Sequence, residues 1–463
     1  MKGNEIMDNK ELCYMLDLDP DTVEDVNIIR KDEKYVFNIV MKRQTYECPE
    51  CHSSHVNIKA NKSKKLVGAQ FNNSPSIYMI HFKRLCCRDC GSSFYDHVPL
   101  ADETTKIARV TQLHILEDLK KPFNFVFASI ARKYHISTAK VISLFDENVQ
   151  VKRHPLPRIL LIDEFYFQRH SQQKYAFVMM NFENKVIVDI IKSRWQNVLS
   201  DYFYSIDAEK GKGEKREKEK VEFVCSDLYE PYRSIIATYF KNATYLVDHF
   251  HVVKLVNDQL NNTRKREMRK HSYARQSKEY RLLKFRYKLL MQYGPTVDIE
   301  TYRFDSILGC HCVNKTVLDE ILSISDDIKA FYDVKEAFMA LDDIDEKSAA
   351  EHDLEKELNE IINKFHQLGT KEGVSISKTL KSWKREYLNS FTWVNGRRIS
   401  NGPLEGKNNY IKKILSNANG YRNFNRARNK IMFSQNLHNE YDSGFSDLYI
   451  VDKILNNRKQ KAK

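Results

Sequence analysis

Between Arg158 and Phe250 the chain alternates apolar runs with amphipathic segments in an order that few folds accommodate. "RILLIDEF", "KYAFVMMNF" and "KVIVDIIKS" are three successive strand candidates, the last two joined by a polar turn at Glu183–Asn184. "RWQNVLSDYFYSI" has helical spacing, "VEFVCSD" is a fourth strand, "YEPYRSIIATYF" a second helix and "ATYLVDHF" a fifth strand. The first three strands are read as an antiparallel meander.

This β-β-β-α-β-α-β order is that of ribonuclease-H-like α/β cores. In open α/β sheets, sites form at the carboxyl ends of strands. Asp163 is expected to end the first strand and Asp227 the fourth. Those strands are neighbours in this topology, so the two carboxylates should meet. A single acid at a strand end is usually a turn or cap residue. Two on converging strands point instead to a cation site, and a third acid would complete it. "SNGPLEGKNNYIKKI", Ser400–Ile414, reads as an amphipathic helix with Ser400 or Asn401 as cap and Pro403 in its first turn. Leu404, Ile411 and Leu415 share its apolar face, and Glu405 lies at the edge of that stripe beside Asn401, Asn409 and Lys412. A glutamate so placed is ordinarily a solvated helix residue. Here it lets the helix pack on the sheet while the carboxylate looks into the site.

Between Asp248 and Glu405 the pattern is helical throughout, as expected for an insertion into the catalytic fold. Its basic segment interleaves Tyr280, Phe285 and Tyr287 with Arg281, Lys284, Arg286 and Lys288, candidates to line DNA, although charged helix faces are commonly just solvated. "DAEKGKGEKREKEK", after Ile206, reads as a solvated loop.

Before the sheet, Val23–Met41 alternates like a hairpin with its turn at Lys31–Glu33. "CPEC" (Cys48, Cys51) and "CRDC" (Cys87, Cys90) follow, with strand-like sequence between them. Two C-x-x-C knuckles each supply two thiolates from a tight turn, which suits a structural tetrahedral zinc with no open position. Buried free cysteines would leave the paired spacing unexplained. Cys86 beside Cys87 leaves the ligand register open, and His52 and His55 are spare nitrogen donors. "FNFVFASIARKYHISTAKVISLFDENV" then has the pattern of a helix-turn-helix, its second helix capped by Ser137 or Thr138. Ser137, Thr138 and Lys140 would face a DNA groove; the plainer reading is an ordinary helical hairpin.

Composition bears on partners. A formal charge of +13 with a pI near 9.0 favours a polyanion, and nucleic acid is favoured over a membrane surface because no long basic amphipathic helix stands out. No apolar run reaches about 18 residues and no secretory leader is evident, so no membrane association is expected. Nine cysteines in this pattern fit an intracellular metal protein rather than a disulfide scaffold. The expected organisation is a zinc-binding β module over residues 1–100 and a helix-turn-helix over 101–154. A ribonuclease-H-like core follows over 155–250, then an all-helical insertion over 251–390, the catalytic glutamate helix over 391–440 and a basic tail over 441–463.

"LLIDEFYFQ", "CSDLYEPY", "VDHFHVVKLVNDQLNNTR" and "SNGPLEGKNNYIKKILSNANGYRNFNRARNKIMF" resemble the catalytic blocks of the DDE transposases of bacterial insertion sequences, most closely the ISL3 group. The likeness covers nearly the whole chain, including the double cysteine pair and the helix-turn-helix. It implies that Asp163, Asp227 and Glu405 are the three acids and hold two Mg²⁺ (or Mn²⁺) ions. The shared "DHFH" implies supporting roles for Asp248 and His249, although Asp248 could equally cap the following helix. It further implies a DNA transposase acting on double-stranded transposon ends and target, as a homodimer or larger synapse in the bacterial cytoplasm, associated with the nucleoid. Lys407, Lys412, Lys413, Arg422, Arg426 and Arg428 would neutralise phosphates, or else form a solvated basic surface. The charged loop after Ile206 departs from the group as an expansion. The alternative is a sequence-specific DNA-binding protein with a catalytically inactive or domesticated core.

Overall fold

The computed structural model describes residues 8–16, 18–96, 98–101, 105–167, 173–207, 216–272 and 274–435. Most of the charged loop, 208–215, and the basic tail, 441–463, lie outside the described residues. The chain divides into two compact units, residues 1–152 with 411–463, and residues 153–410.

In the first unit a short helix α1 (Asn9–Met15) precedes a sheet of β1 (Val23–Lys31), β2 (Lys34–Met41), β3 (Val56–Val67), β4 (Ser76–Cys87) and β5 (Ser93–Tyr95). The order is β1-β2-β4-β3, with β5 on β4. The β1–β2 hairpin closes through Asp32 and Glu33, both at positive φ (49° and 61°), a two-residue turn that matches the strands' own twist. One face buries Val26, Phe37, Ile39, Leu66, Tyr78 and Ile80 with Leu12 and Cys13 of α1. Helices α2 (Arg109–Lys120), α3 (Phe127–Lys133) and α4 (Thr138–Asn148) follow. The Ser137 hydroxyl accepts from the Lys140 amide at 3.2 Å and so caps α4, as its sequence demands.

The C-terminal helix, Phe424–Ser434, also belongs to this unit, whereas the sequence reading joined it to the catalytic sheet. Phe433 meets Phe145 edge-on at 6.1 Å, and Tyr421 meets Phe127 at 6.2 Å. The buried Lys430 ammonium donates to the carbonyls of Leu119 and Lys121, satisfying the end of α2. An apolar stripe on this helix would pack equally well on a sheet or on helices. The specific partners at α2 and α4 decided it.

The second unit opens with the sheet: β6 (Ile159–Tyr166), β7 (Tyr175–Asn181), β8 (Ile187–Ile191), α5 (Gln196–Ser205), β9 (Phe223–Ser226), α6 (Glu230–Tyr239), β10 (Thr244–Val247) and the long α7 (His249–Lys270). The order is β10-β9-β6-β7-β8; β6, β7 and β8 are antiparallel, while β9 and β10 run parallel to β6. The strands are apolar along nearly their whole length because both faces are covered. Phe177, Phe203, Tyr232 and Phe240 make the α5–α6 side an aromatic cluster with edge-on contacts at 5.2–6.2 Å.

The insertion comprises α8 (Lys278–Phe285), α9 (Lys288–Met291), a ribbon of β11 (Arg303–Asp305) and β12 (Cys310–Cys312), then α10 (Asn314–Leu322), α11 (Asp326–Asp342), α12 (Glu346–Glu351), α13 (Leu354–Gln367), α14 (Lys371–Ser382) and α15 (Lys384–Asn389). A hairpin of β13 (Trp393–Val394) and β14 (Arg397–Arg398) leads into α16 (Gly402–Asn417). The insertion shares one core with the sheet: Val252, Val256 and Leu260 of α7 link Leu160 and Val224 to Phe331, Phe338, Phe365 and Tyr387.

A buried polar knot ties its far end down. Asp342 accepts from His249 Nδ1 (3.0 Å), the Tyr387 hydroxyl (2.9 Å) and Arg398 Nη2 (3.2 Å), and Arg398 Nη1 also donates to the Asp342 carbonyl at 2.6 Å. Burial works to raise the Asp342 pKa, but His249 and Arg398 hold it below the usual carboxylate range. Asp342→Ala would leave the half-buried Arg398 guanidinium without its carboxylate and the Tyr387 hydroxyl and His249 without their acceptor, and is expected to destabilise this unit by about 3 kcal/mol in denaturant titrations.

Candidate active site

The site follows from the register of β6 and β9. Leu160 pairs with Val224 and Leu161 with Cys225, so Asp163 and Asp227, two residues further along each strand, emerge side by side. Asp163 does not end its strand, as the sequence suggested. β6 continues to Tyr166 against β7, and it is the parallel pairing that ends before Asp163. The carboxylate thus stands on a rigid strand at the point where its neighbour peels away.

Asp163 is 9% exposed. Its Oδ1 accepts from the Glu164 amide at 2.7 Å, and its Oδ2 from Asn408 Nδ2 at 2.6 Å. Asp227 Oδ1 lies 3.0 Å from His251 Nδ1, and the same nitrogen lies 2.9 Å from Oδ2 of Asp248. One N–H serves only one of them; it donates to Asp248, leaving Asp227 Oδ1 buried without a donor. Asp248 is fully buried, makes no side-chain cap to α7, and accepts from the Asn401 amide at 3.3 Å. Of its two open readings, support of the site is the one its contacts fit. Asp227, Asp248 and His251 each offer a ligand atom within 4.8 Å of the others. His249, expected beside the acids, instead serves Asp342. His251, one helical turn after Asp248, occupies that place, and the i,i+3 spacing of Asp248 and His251 was the available signal.

Glu405 lies one turn beyond Asn401 and one turn before Asn408, both of which grip the first strand: Asn401 Nδ2 donates to the Ile162 carbonyl at 3.0 Å. Its helix face therefore adjoins the strand carrying Asp163, while its side chain is exposed, outside the group formed by Asp227, Asp248 and His251. Glu164 accepts from the Tyr232 hydroxyl at 2.5 Å and from Arg194, whose guanidinium lies over Tyr175 and Tyr229 at 4.7 and 5.0 Å.

Burial, then the charge of Asp227, pushes Asp163 up to about 7. Burial raises Asp227 to about 6 against the pull of His251. The hydrogen bond to Asp248, with Asp227 nearby, raises His251 to about 9. The folded acids therefore hold protons that the unfolded chain has released between about pH 4 and 7, so their contribution to metal-free stability falls as pH rises through that window. The raised histidine adds stability below its ordinary value, and this too is lost as pH climbs toward about 9. Asp163→Asn is expected to stabilise metal-free protein by about 1–2 kcal/mol near pH 8 and hardly at all near pH 4, measured by urea unfolding in metal-free buffer.

In the first unit, the sulfurs of Cys48, Cys51, Cys87 and Cys90 all lie within 4.8 Å of one another, with Cys48–Cys90 at 3.5 Å and Cys51–Cys87 at 3.6 Å. A zinc tetrahedron with bonds of about 2.3 Å has edges of about 3.8 Å, so the thiols are already spaced for one ion. The two knuckles have the same build. In each, the first cysteine's amide donates five residues on (Ser53, Ser92), and the residue four on (His52, Gly91) returns at positive φ. Cys86 lies outside the cluster, and His55 pairs with Asp89 at 3.2 Å. Backbone amides of Cys90 and Asp89 hold the Cys87 thiol down to about 7.

Among the basic candidates, Lys140, Lys412, Lys413 and Arg422 are exposed, as are Ser137 and Thr138 in the first turn of α4. Lys407 is half-buried over the Tyr410 ring at 5.3 Å, and burial lowers its pKa. Arg426 is committed to Asp146 at 2.6 Å, and Arg428 to the Val151 carbonyl at 2.7 Å.

A mixed sheet that delivers two aspartates side by side from adjacent parallel strands defines a class of α/β protein suited to oxygen-loving cations. Residues 160–431 match the model of the ISL3 family of DDE transposases, described as transposase, and the chain belongs to that family. The family implies a phosphoryl-transfer enzyme acting on DNA. No curated protein matches the chain. No helix among the described residues is long and apolar enough to cross a membrane.

Proposed function

We propose that this protein is a DNA transposase that binds the ends of its insertion sequence, cuts at them and joins the freed 3′ ends to target DNA. Its catalytic core is ribonuclease-H-like, with Asp163, Asp227 and Glu405 as the acids. The observation that carries this reading is the in-register pair Asp163 and Asp227, with a buried Asp227 oxygen lacking any hydrogen-bond donor. A buried acceptor with no donor is costly in a protein alone and suits a cation ligand.

Bound there, two Mg²⁺ or Mn²⁺ ions would activate the attacking oxygen and stabilise the leaving 3′ oxygen of an in-line displacement. The chain supplies the rest. Asp163 and Asp227 concentrate negative charge on a rigid sheet. Asp248 holds His251 beside Asp227 and so keeps its charge against that carboxylate. Glu405 brings the third carboxylate from the neighbouring helix face. Water is the nucleophile for end cutting, and the freed 3′-OH for joining.

Ser137, Thr138 and Lys140, exposed at the start of the second helix of a helix-turn-helix, read the ends. Lys407, Lys412, Lys413 and Arg422 contact phosphates. Zinc on the four thiolates stabilises the N-terminal module. A homodimer or larger assembly pairs two ends, in the cytoplasm and on the nucleoid.

The test is cleavage of DNA carrying the element's own ends. Mg²⁺-dependent nicks at the end boundary are expected, and none on scrambled ends. A chain lacking residues before about Pro155 should lose sequence preference while keeping weak, salt-sensitive binding, because phosphate contacts carry little sequence information. Retained preference would place the reader elsewhere.

A further inference from the structure

Three buried oxygens near the strand ends accept no hydrogen bond: Asp227 Oδ1, Asn401 Oδ1 and Asn408 Oδ1. The first belongs to an acid already assigned. The other two sit two turns apart, Asn401 just before α16 and Asn408 within it, with Glu405 between them, in side chains that are 0% and 5% exposed. Asn401 begins the helix, where an asparagine oxygen ordinarily caps a backbone amide. Here its nitrogen is drawn to the Ile162 carbonyl and the oxygen caps nothing.

Asn408 is more tightly specified. Its Nδ2 donates to Asp163 Oδ2 at 2.6 Å. With a cation bound Asp163 is ionised, and turning the amide over would set its oxygen against a carboxylate oxygen, so the nitrogen faces Asp163. That oxygen, on the same amide as the nitrogen bonded to Asp163, is buried and has no hydrogen-bond partner of its own. Buried acceptors of this kind are normally satisfied. A cation's coordinated waters are strong donors, and groups behind the ligands commonly fix them in this way.

We propose that Asn408 positions Asp163 through its amide nitrogen and accepts, through its amide oxygen, a hydrogen bond from the hydration water of the cation held there. This rests on the cation site proposed above. Asn408 is then a positioning residue rather than a fourth acid, and it explains why α16 presents a carboxamide, not an apolar residue, to the first strand.

The experiment measures Mn²⁺ binding to the full-length, zinc-loaded protein without DNA, from the paramagnetic resonance signal of free Mn²⁺. Wild type should bind and Asp163→Ala should not; a wild type that fails to bind overturns both the site and this inference. Asn408→Ala should bind Mn²⁺ about tenfold more weakly while retaining its fold by circular dichroism. Folded Asn408→Ala with wild-type affinity, alongside an Asp163→Ala protein that has lost binding, would overturn the role of Asn408 alone. Should Asn408→Ala not fold, Asn408→Leu, which keeps the volume and removes both amide groups, decides the matter. It is expected to bind Mn²⁺ about tenfold more weakly, and wild-type affinity overturns the proposal.

Discussion

Asp227→Ala protein is expected to bind transposon-end DNA as wild type does and to cut it at least on the order of a thousandfold more slowly. Asp163→Ala should behave alike. On the proposed mechanism the two carboxylates act as one unit, so losing either should remove most of the cation's hold, and the double variant should be little worse than either single one. End binding should be spared because the proposed recognition helix and exposed lysines do not include these acids. Glu405→Ala should abolish cutting as well, although its exposed side chain means that it joins the other two only when the site is loaded. A gel assay of nicking beside a binding assay on the same DNA checks all three. Should Asp227→Ala still cut, Asp248, buried on the far side of His251, becomes the second acid.

Cys87→Ser is expected to release zinc and unfold much of the N-terminal module while the catalytic unit melts as before. The two knuckles lie at the same end of the β3–β4 ladder: Cys48 and Cys51 precede β3, while Cys87 ends β4 and Cys90 follows it. One ion there would staple together the two chain ends of a long hairpin whose strands expose many polar residues and bury few apolar ones outside the α1 side. Removing a ligand from such a site commonly removes the fold it supports. Purified wild type should carry about one zinc per chain by metal analysis. In the variant, proteolysis should concentrate between β2 and α2. A metal-free protein with this region fully protected would show that the thiols are bystanders.

Much of this was legible without coordinates. Apolar runs covered on both faces, separated by helical spacing, allow one economical sheet order, and the observed order agrees. The C-x-x-C pairs announced their own convergence, since each knuckle is a local turn. Asp163 and Asp227 could be placed side by side because parallel register translates strand position directly into space. Local patterns of this kind are determined by the backbone's own periodicities.

What tertiary structure decided was the choice among equivalent neighbours. His249 and His251 share one short motif, and only the way α7 packs turned the first toward Asp342 and the second toward Asp227. Arg426 looked like a phosphate ligand until Asp146, 280 residues earlier, claimed it. The C-terminal helix could have covered the sheet but packs with α2 and α4. Asn408 was one polar residue among several on its helix, and its meaning arose only where it met Asp163 across 245 residues of chain. The sequence by itself determined most of the elements and the sheet order, but it read the insertion as all-helical and so missed the β11–β12 ribbon, and it left the cysteine register open at Cys86. Which polar side chains face the acids was set by long-range packing, because a helix's rotation about its axis depends on partners that its own sequence does not name.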